Sequence, residues 1–210
     1  MQVVGRRSKS RRQWISRQQN DTFSQKAKKE GYRSRAVYKL LEIHLKDKLF
    51  RHNMIVVDLG AAPGGWSQVA VNYLCKTGCV IALDILPMDP LDGVDIITGD
   101  LHLQSVVDEL YRRLNHRLVD LVISDMAPNF SGISNIDQLR SVSLAELGLN
   151  FARDVLDIGG SLLVKLFQGE GFIQYLHTLK QDFAFVVVRK PKASRAESRE
   201  VYLLAKKFKQ

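Results

Sequence analysis

Four aspartates of this chain follow apolar segments of strand length, at a spacing that suits a shared ligand site. The segments and their aspartates are residues 54–57 with Asp58, residues 79–83 with Asp84, residues 94–98 with Asp100, and residues 118–124 with Asp125. Ligands of open α/β sheets bind outside the carboxyl ends of the strands, so these carboxylates are expected to line one crevice. A single aspartate is more often a turn or cap residue, but four at successive strand ends favour a site. A carboxylate placed like Asp84 can accept both hydroxyls of a ribose, which indicates a nucleotide-like ligand.

A glycine-rich turn joins the first apolar segment to an amphipathic run and contains Gly60, Gly64 and Gly65. Glycine allows a positive φ and close approach of a ligand, and free N–H groups at the start of a helix favour electron-rich groups. A P-loop would need Lys-Ser/Thr after its last glycine, and a dinucleotide fingerprint reads G-x-G-x-x-G. The turn has neither pattern, so it predicts a nucleotide-like cofactor of another kind.

Lys165 lies inside an apolar segment, residues 161–167, and Glu200 begins the last apolar segment. A buried ammonium is costly unless it is paired. One interpretation places Lys165 at an exposed strand end or in a structural ion pair. The other places it in the crevice beside Asp125, where it would act as an acid, a base or a positioning group.

The elements that must position these residues alternate between strand and helix patterns. This alternation predicts one α/β domain with a largely parallel sheet and helices on both faces. In the second half we expect a helix over residues 137–154, a turn at Gly159-Gly160, a strand over 161–167 and a helix over 170–181. The short connection between the last two strands, residues 183–188 and 200–205, predicts antiparallel pairing at the end of the sheet.

Positive charge is concentrated at the two ends of the chain. Residues 1–51 carry a net charge of +11, residues 52–188 carry −8, and residues 189–210 carry +6. Basic segments that flank an acidic centre are typical of a surface that binds a polyanion, with nucleic acid as the natural partner. The chain is therefore divided into a basic N-terminal segment with short helices, residues 1–51, and a catalytic part, residues 52–210.

The basic N-terminal segment contains two predicted short helices. Asn20 or Asp21 can cap the first, which ends at Gly31, and Ser34 can cap the second, over residues 35–48. The apolar face of the second helix consists of Val37, Leu40, Leu41, His44 and Leu45. A phosphate-contacting patch is predicted from Lys26, Lys28, Lys29, Arg33 and Arg35, with Tyr32 and Tyr38 as stacking faces for bases.

Several other classes of protein are disfavoured. No apolar run reaches a membrane-spanning length, and the N-terminus lacks a signal-peptide core, which predicts a cytoplasmic protein. Cys75 and Cys79 have no metal-ligand pattern around them and are expected to pack, with no metal site. The sequence contains no sustained apolar stripe of the kind that forms a dimer interface, so a monomer is expected.

Four motifs together resemble the RrmJ/FtsJ family of S-adenosylmethionine-dependent RNA ribose 2′-O-methyltransferases. They are DLGAAPGGWS from Asp58, DMAPN from Asp125, VKLFQGEG from Val164 and SRAESREVY from Ser194. The resemblance covers nearly the whole chain, including RSRAVYK from Arg33. The compact length resembles the bacterial members that modify a uridine of large-subunit 23S ribosomal RNA.

The resemblance implies a Rossmann-like methyltransferase fold, a mostly parallel seven-stranded sheet with an antiparallel last strand. It places the family's catalytic tetrad on Lys39, Asp125, Lys165 and Glu200. It implies that the turn with Gly60, Pro63, Gly64, Gly65 and Trp66 lies by the methionine part of S-adenosylmethionine, Asp84 by the ribose, Asp100 by the adenine, and Asp125 near both methyl donor and substrate. Lys165 would act as general base or would orient the 2′-hydroxyl, and both roles stay open.

Other functions are less well supported by the residues. Base N-methyltransferases carry an Asn/Asp-Pro-Pro-aromatic loop where this chain has Asp125-Met126-Ala127-Pro128, and pyrimidine C5 enzymes need a cysteine nucleophile there. A ribose 2′-O-methyltransferase acting on transfer RNA or a cap is the alternative within the fold. A non-catalytic RNA-binding assembly factor is disfavoured because all four tetrad residues are present, and a nicotinamide dehydrogenase because its glycine fingerprint is missing.

Overall fold

The computed structural model describes residues 21–74, 78–195 and 197–209. The strands are β1 Ile55–Leu59, β2 Cys79–Asp84, β3 Val94–Thr98, β4 Val119–Ser124, β5 Leu156–Phe167, β6 Phe183–Arg189 and β7 Glu200–Phe208. The helices are α1 Thr22–Lys29, α2 Val37–Asp47, α3 Gly65–Leu74, α4 Gln104–Leu114, α5 Ser134–Val155 and α6 Phe172–Asp182. Cys75 and Asn20, both named above, lie outside the described residues.

The strands form one seven-stranded sheet in the order β3-β2-β1-β4-β5-β7-β6. The β1/β2, β1/β4, β2/β3 and β4/β5 pairs are parallel. Strand β7 lies antiparallel between β5 and β6. The predicted architecture, including the antiparallel last strand, is confirmed. The order changes direction between β1 and β4, which is where open α/β sheets form their ligand crevice.

Both faces of the central strands are buried, which explains why the segments are almost continuously apolar. Successive residues of β1 illustrate this, since Val56 packs into one core and Val57 into the other. The larger core lies between the sheet and α4, α5 and α6. The second core lies on the opposite face and includes residues of α1, α2 and α3.

The two N-terminal helices pack against the second core, and their boundaries partly correct the predictions. The Asp21 side chain accepts a hydrogen bond from the Phe23 amide, 3.1 Å away, and so caps α1 as expected. The predicted cap at Ser34 is wrong, because α2 begins two residues later than predicted, with Ala36 as an N-cap that makes no side-chain hydrogen bond. Leu45 is 65% exposed and does not belong to the buried face, whereas Ile43 does.

The glycine pair at residues 159–160 was expected to form a turn between a helix and a strand, and this prediction is wrong. Helix α5 ends at Val155 and β5 begins at the next residue, so both glycines lie inside the strand. Pairing between β4 and β5 is irregular between Val119 and Leu121. Gly159 has a φ of +85°, so it supplies a left-handed residue that bends the strand there.

None of the described helices combines the length and the hydropathy that a membrane span requires. Within the described ranges, no group of three or more His, Cys, Asp or Glu side chains is arranged to hold a metal ion. Cys79, at the start of β2, is a half-buried free thiol.

Candidate active site

A cavity of about 290 Å³ opens at the carboxyl ends of β1, β2, β3 and β4. Asp84, Asp100 and Asp125 all line it, as the strand-end argument predicts. Apolar walls come from Leu83, Ile85, Leu86, Leu101, Met126, Leu144 and Leu147. An apolar cleft with a few convergent carboxylates suits a nucleoside, whose base packs against apolar surface while its hydroxyls donate to carboxylates.

The glycine turn forms one wall of this cavity. Gly60 lines the cavity with a φ of +75°, and a Cβ on it would lie 2.8 Å from the backbone of Met126. Its amide donates to the Leu83 carbonyl, 2.8 Å away, and the amide of Ala62 donates to Asp84 Oδ2, also 2.8 Å away. Only glycine allows the turn to pass this close to the segment after β4, so Gly60 sets the width of the cleft.

The other predicted residues of the turn lie outside the cavity lining. Gly64 and Gly65 are buried, and Pro63 is exposed. Trp66 is only 3% exposed, donates its indole N–H to the Ala36 carbonyl, and has its ring centre 5.6 Å from that of Tyr202. The structure thus places Trp66 between α2 and β7, where it can support Tyr202. A direct contact of Trp66 with cofactor stays a prediction.

Asp58 is completely buried beneath the turn instead of lining the crevice. Ser67 Oγ donates to its Oδ2 at 2.6 Å, while its Oδ1 has no hydrogen-bond partner among the described residues. Burial raises the pKa of Asp58 to about 7, and the nearby charges of Asp125 and Asp84 act in the same direction. Asp58 therefore ties α3 to β1 and adds an unsatisfied polar atom below the glycine turn.

Asp84 and Asp100 are held by local hydrogen bonds. The Leu86 amide donates to Asp84 Oδ1 at 2.8 Å, and the His102 amide donates to Asp100 Oδ1 at 3.0 Å. Hydrogen bonds from His102 lower the pKa of Asp100. Asp100 is therefore an ionised acceptor at neutral pH, oriented toward the cavity that it lines.

At the β4 edge of the cavity the Lys165 ammonium meets Asp125. Lys165 Nζ lies 2.9 Å from Asp125 Oδ1 and also donates to the Asp125 carbonyl. The Lys165 side chain is 7% exposed and that of Asp125 is 19% exposed. This geometry favours the crevice interpretation of Lys165 over an exposed strand end.

A second ion pair lies beside the first. Lys39 Nζ of α2 lies 2.7 Å from Glu200 Oε1 of β7, and both side chains are 13% exposed. The structure thus brings together the four predicted catalytic side chains from α2, β5, β7 and the end of β4. Their near burial in two pairs keeps them ordered, since each charge has a partner.

Two neighbouring hydroxyls were not predicted as site residues. The Tyr202 hydroxyl donates to Asp125 Oδ1 at 2.9 Å and accepts from Lys39 Nζ at 3.2 Å, so it connects the two ion pairs. Burial, followed by the charges of Asp125 and Glu200, raises the pKa of Tyr202. Ser194 Oγ donates to Glu200 Oε1 at 2.8 Å. Tyr202 could have been predicted as a site residue from its position opposite Lys165 on the neighbouring strand. That position depends on the register of β5 and β7, which the sequence alone does not give.

The basic N-terminal surface differs from the predicted phosphate patch. Arg33 donates to the carbonyls of Asp89 and Pro90, at 2.7 and 2.6 Å, and Arg35 pairs with Asp21 and bonds the Ala193 carbonyl. Hydrogen bonds and an ion pair within the chain therefore occupy part of both guanidinium groups, which leaves fewer N–H donors for a phosphate.

The remaining members of the patch face solvent. Lys26, Lys28 and Lys29 are exposed on α1. Tyr32 is half-buried, but Tyr38 is 8% exposed and donates its hydroxyl to Glu30, so the expectation that Tyr38 stacks on bases is wrong. Lys26 pairs with Glu30 at 3.8 Å, so Lys28 and Lys29 are the members of the predicted patch best placed to contact a phosphate.

Comparisons with known proteins agree with this geometry. The FtsJ-like methyltransferase family matches residues 32–208. A protein of Azoarcus sp. named "Ribosomal RNA large subunit methyltransferase E" is 54% identical over 199 residues, 95% of this chain and 97% of its own length. A protein of the same name from Chromobacterium violaceum is 54% identical over 95% of this chain and 98% of its own.

Solved structures include a similar protein as well. A crystal structure of a Plasmodium falciparum protein described as a ribosomal RNA methyltransferase superposes with a TM-score of 0.75 at 34% identity, covering 84% of this chain and 98% of that one. The family match spans the glycine turn, the cavity and both ion pairs. The chain therefore belongs to the FtsJ-like methyltransferase family.

Proposed function

We propose that this chain transfers a methyl group from S-adenosylmethionine to the 2′-hydroxyl of one ribose, a uridine, in large-subunit 23S ribosomal RNA. The observation that carries the proposal is the position of Asp125, which lines the nucleoside-sized cavity and is paired with Lys165. The names of relatives that match almost the full length of this chain support the RNA substrate.

The cavity suits the nucleoside part of the proposed cofactor. In the proposal Asp84 accepts the ribose hydroxyls, Asp100 accepts a base amino group, and the apolar residues that line the cavity cover the base. Gly60 lines the cavity with backbone atoms only, so no side chain at this position occupies space that the ligand needs. The bound cofactor supplies a methyl group already activated by its sulfonium, so the chain itself needs to align an oxygen and manage one proton.

The ion pairs can perform both tasks. Lys165 Nζ and Asp125 Oδ1 present a donor and an acceptor side by side, which can fix the orientation of a 2′-hydroxyl at the cavity edge. Lys165 is the group placed to receive or guide the hydroxyl proton. Tyr202 donates to Asp125 and contacts the Lys39–Glu200 pair, so it holds Asp125 beside Lys165.

We further infer that the enzyme acts as a single chain in the compartment that contains ribosomes, with the large subunit as substrate. One chain supplies all four charged side chains of the cluster, so a second copy is not needed to complete it. The exposed lysines of α1 lie on the element next to α2, where they can contact RNA phosphates around the methylated ribose.

The test is transfer of labelled methyl from S-adenosylmethionine to large subunits from a strain that lacks the enzyme, followed by mapping of ribose methylation. We expect one labelled ribose with the wild type and loss of at least 100-fold in turnover with Lys165→Ala. The control variant is Lys180→Ala. Lys180 is an exposed lysine of α6, so this variant should retain wild-type turnover. Cofactor affinity, measured by calorimetry, should stay within about twofold for both variants.

Two results would contradict the proposal. Methylation of transfer RNA or capped RNA without labelling of large subunits would assign the activity to another substrate. Near-normal turnover of Lys165→Ala would show that Lys165 neither receives the proton nor orients the hydroxyl. A separate check is Asp84→Asn, which should weaken cofactor binding about tenfold or more without changing the fold.

A further inference from the structure

Phe130 is a large apolar side chain beside the ion pairs that no step above uses. Its side chain lies in the segment after β4 and is 62% exposed. Asn129, its neighbour, lines the cofactor cavity, and Asp125 lies five residues before it. An aromatic ring therefore faces solvent at the mouth of the site, where a bound nucleotide would cover it.

Strand register places the partner of this ring next to the catalytic cluster. Phe167 lies two residues after Lys165 on β5, and its cross-strand partner on β7 is Glu200, while that of Lys165 is Tyr202. Residues two apart on a strand, and residues directly opposite on the neighbouring strand, share one face of the sheet. Phe167 thus flanks the ion pairs. The Phe130 ring packs edge-on against it, with ring centres 5.5 Å apart and planes at 80°.

The segment that carries Phe130 is fixed by hydrogen bonds. Asp137 of α5 accepts from the amide and hydroxyl of Ser131, at 2.7 and 2.8 Å, and from the Gly132 amide, at 3.0 Å. These hydrogen bonds lower the pKa of Asp137. Arg140 donates to the Asn129 carbonyl, 3.2 Å away. The exposed ring is therefore presented from an ordered segment, which lowers the entropy cost of stacking on it.

We propose that Phe130, backed by Phe167, is the platform on which the base of the methylated nucleotide stacks. The inference rests on the proposed function, which places the ribose of that nucleotide at Lys165 and Asp125. In this proposal the base on the same sugar leaves its stacked position, because the ribose has to reach two side chains that are only 7% and 19% exposed. An exposed aromatic ring replaces the lost stacking for any base, because every base has a π-face. Phe130 is thus a positioning residue for the reaction.

Kinetics of Phe130 variants on large subunits test the platform. We expect Phe130→Ala to lower kcat/KM for the large subunit about 10- to 30-fold, from the usual loss per stacked base. Phe130→Tyr should retain activity within about threefold, and Phe130→Leu should resemble the alanine variant, because leucine keeps apolar bulk without a ring. Ile133→Ala is the matched control, since Ile133 is 56% exposed on the same segment, and it should behave as the wild type.

A purely structural role would change other properties. Cofactor affinity should be unaltered in all four variants, and the thermal midpoint should fall by no more than the loss of one partly exposed aromatic pair explains. In addition, a photoreactive benzoylphenylalanine at position 130 should crosslink to the large subunit and stop reverse transcription next to the methylated nucleotide.

The outcomes distinguish failure of the stacking platform from failure of the proposed function on which it rests. If the wild type labels no large subunit, the proposed function fails. If the wild type is active and Phe130→Ala is within twofold of it, or if Phe130→Leu is fully active, the stacking platform alone is refuted. Crosslinks only to nucleotides remote from the methylated one would likewise refute it.

Discussion

Tyr202 donates its hydroxyl proton to Asp125 from the strand beside the one that carries Lys165. The same oxygen accepts from Lys39, so one phenol joins the Lys165–Asp125 and Lys39–Glu200 pairs into one cluster. The cluster is thus ordered before substrate arrives, and the geometry of Asp125 depends on a residue outside the tetrad.

Removal of that hydroxyl should slow catalysis while keeping the fold. Tyr202→Phe deletes one donor to Asp125 and one acceptor for Lys39, and a hydrogen bond to a charged group contributes about 1.5–3 kcal/mol. We expect kcat to fall about tenfold or more with little change in cofactor affinity, as measured by single-turnover methyl transfer. Tyr175→Phe removes a buried hydroxyl that bonds the Ala145 carbonyl on the other face of the sheet and serves as the control. Equal kcat for Tyr202→Phe and the wild type would show that the bridge has no catalytic role.

Ionisation of Asp58 should lower the free energy of unfolding as the pH rises from about 4 to about 7. Its pKa is about 7 in the folded chain and about 3.9 when unfolded, so folding favours the protonated form. That advantage is complete below the unfolded pKa and is lost as pH rises through the folded pKa.

Asp58→Asn keeps an oxygen for Ser67 Oγ and removes the ionisation. Urea unfolding at pH 4.5 and pH 8 should show that the wild type loses about 1–3 kcal/mol more stability than the variant over this interval. Parallel pH profiles of the two proteins would contradict the assignment.

Asp47 should contribute to the free energy of unfolding with the opposite pH dependence, because its contribution is present at high pH and lost at low pH. Its carboxylate accepts from Arg189 Nη2 and Nε, at 2.6 and 2.8 Å, and these bonds lower its pKa. The contribution is present above the unfolded pKa and is lost as pH falls through the lower folded pKa. Asp47→Asn should cost about 1 kcal/mol of unfolding free energy at pH 7 and nothing at the lowest pH at which the chain stays folded. Arg112→Gln, which breaks an exposed pair with Glu109, should be neutral.

Arg33 should affect cofactor binding more than RNA binding. Its guanidinium donates to the carbonyls of Pro63, Asp89 and Pro90 and so fastens the glycine turn to the segment after β2. Arg33→Ala should weaken cofactor binding about fivefold or more, and Arg33→Lys should not restore it, because an ammonium lacks the planar fork. Calorimetry with cofactor and filter binding with large subunits separate the two effects. A loss confined to RNA affinity would instead support the phosphate contact suggested by the sequence.

Sequence reasoning located the strands and their acidic ends because both signals are local. An apolar run followed by an aspartate indicates the point where a buried strand reaches solvent. Strands β1, β2, β3 and β4 all follow this pattern. Asp58 departs from it, since the strand end is covered by the glycine turn. The glycine pair at residues 159–160 was misassigned because a bend inside a strand and a helix-ending turn use the same residue type.

Contacts between distant segments could not be read in the same way. Whether Tyr38 meets RNA or Glu30 depends on how α1 and α2 pack, and its ring is buried by that packing. The Tyr202 bridge depends on the relative register of β5 and β7 and on the placement of α2, which no single segment encodes. Only the family resemblance predicted that Lys39 and Glu200 belong to one site, and their pairing is visible only in the structure.

The origin of Lys39 in α2 limits how enzymes of this type can be recombined. The helix that supplies this ammonium follows directly on the lysine-bearing α1 and packs into the second core. A chimera that takes residues 21–51 from another protein without a lysine at this position would leave Glu200 without the ammonium of Lys39. Substitutions on the exposed surface of α1 keep this ion pair, whereas replacement of the whole segment removes it.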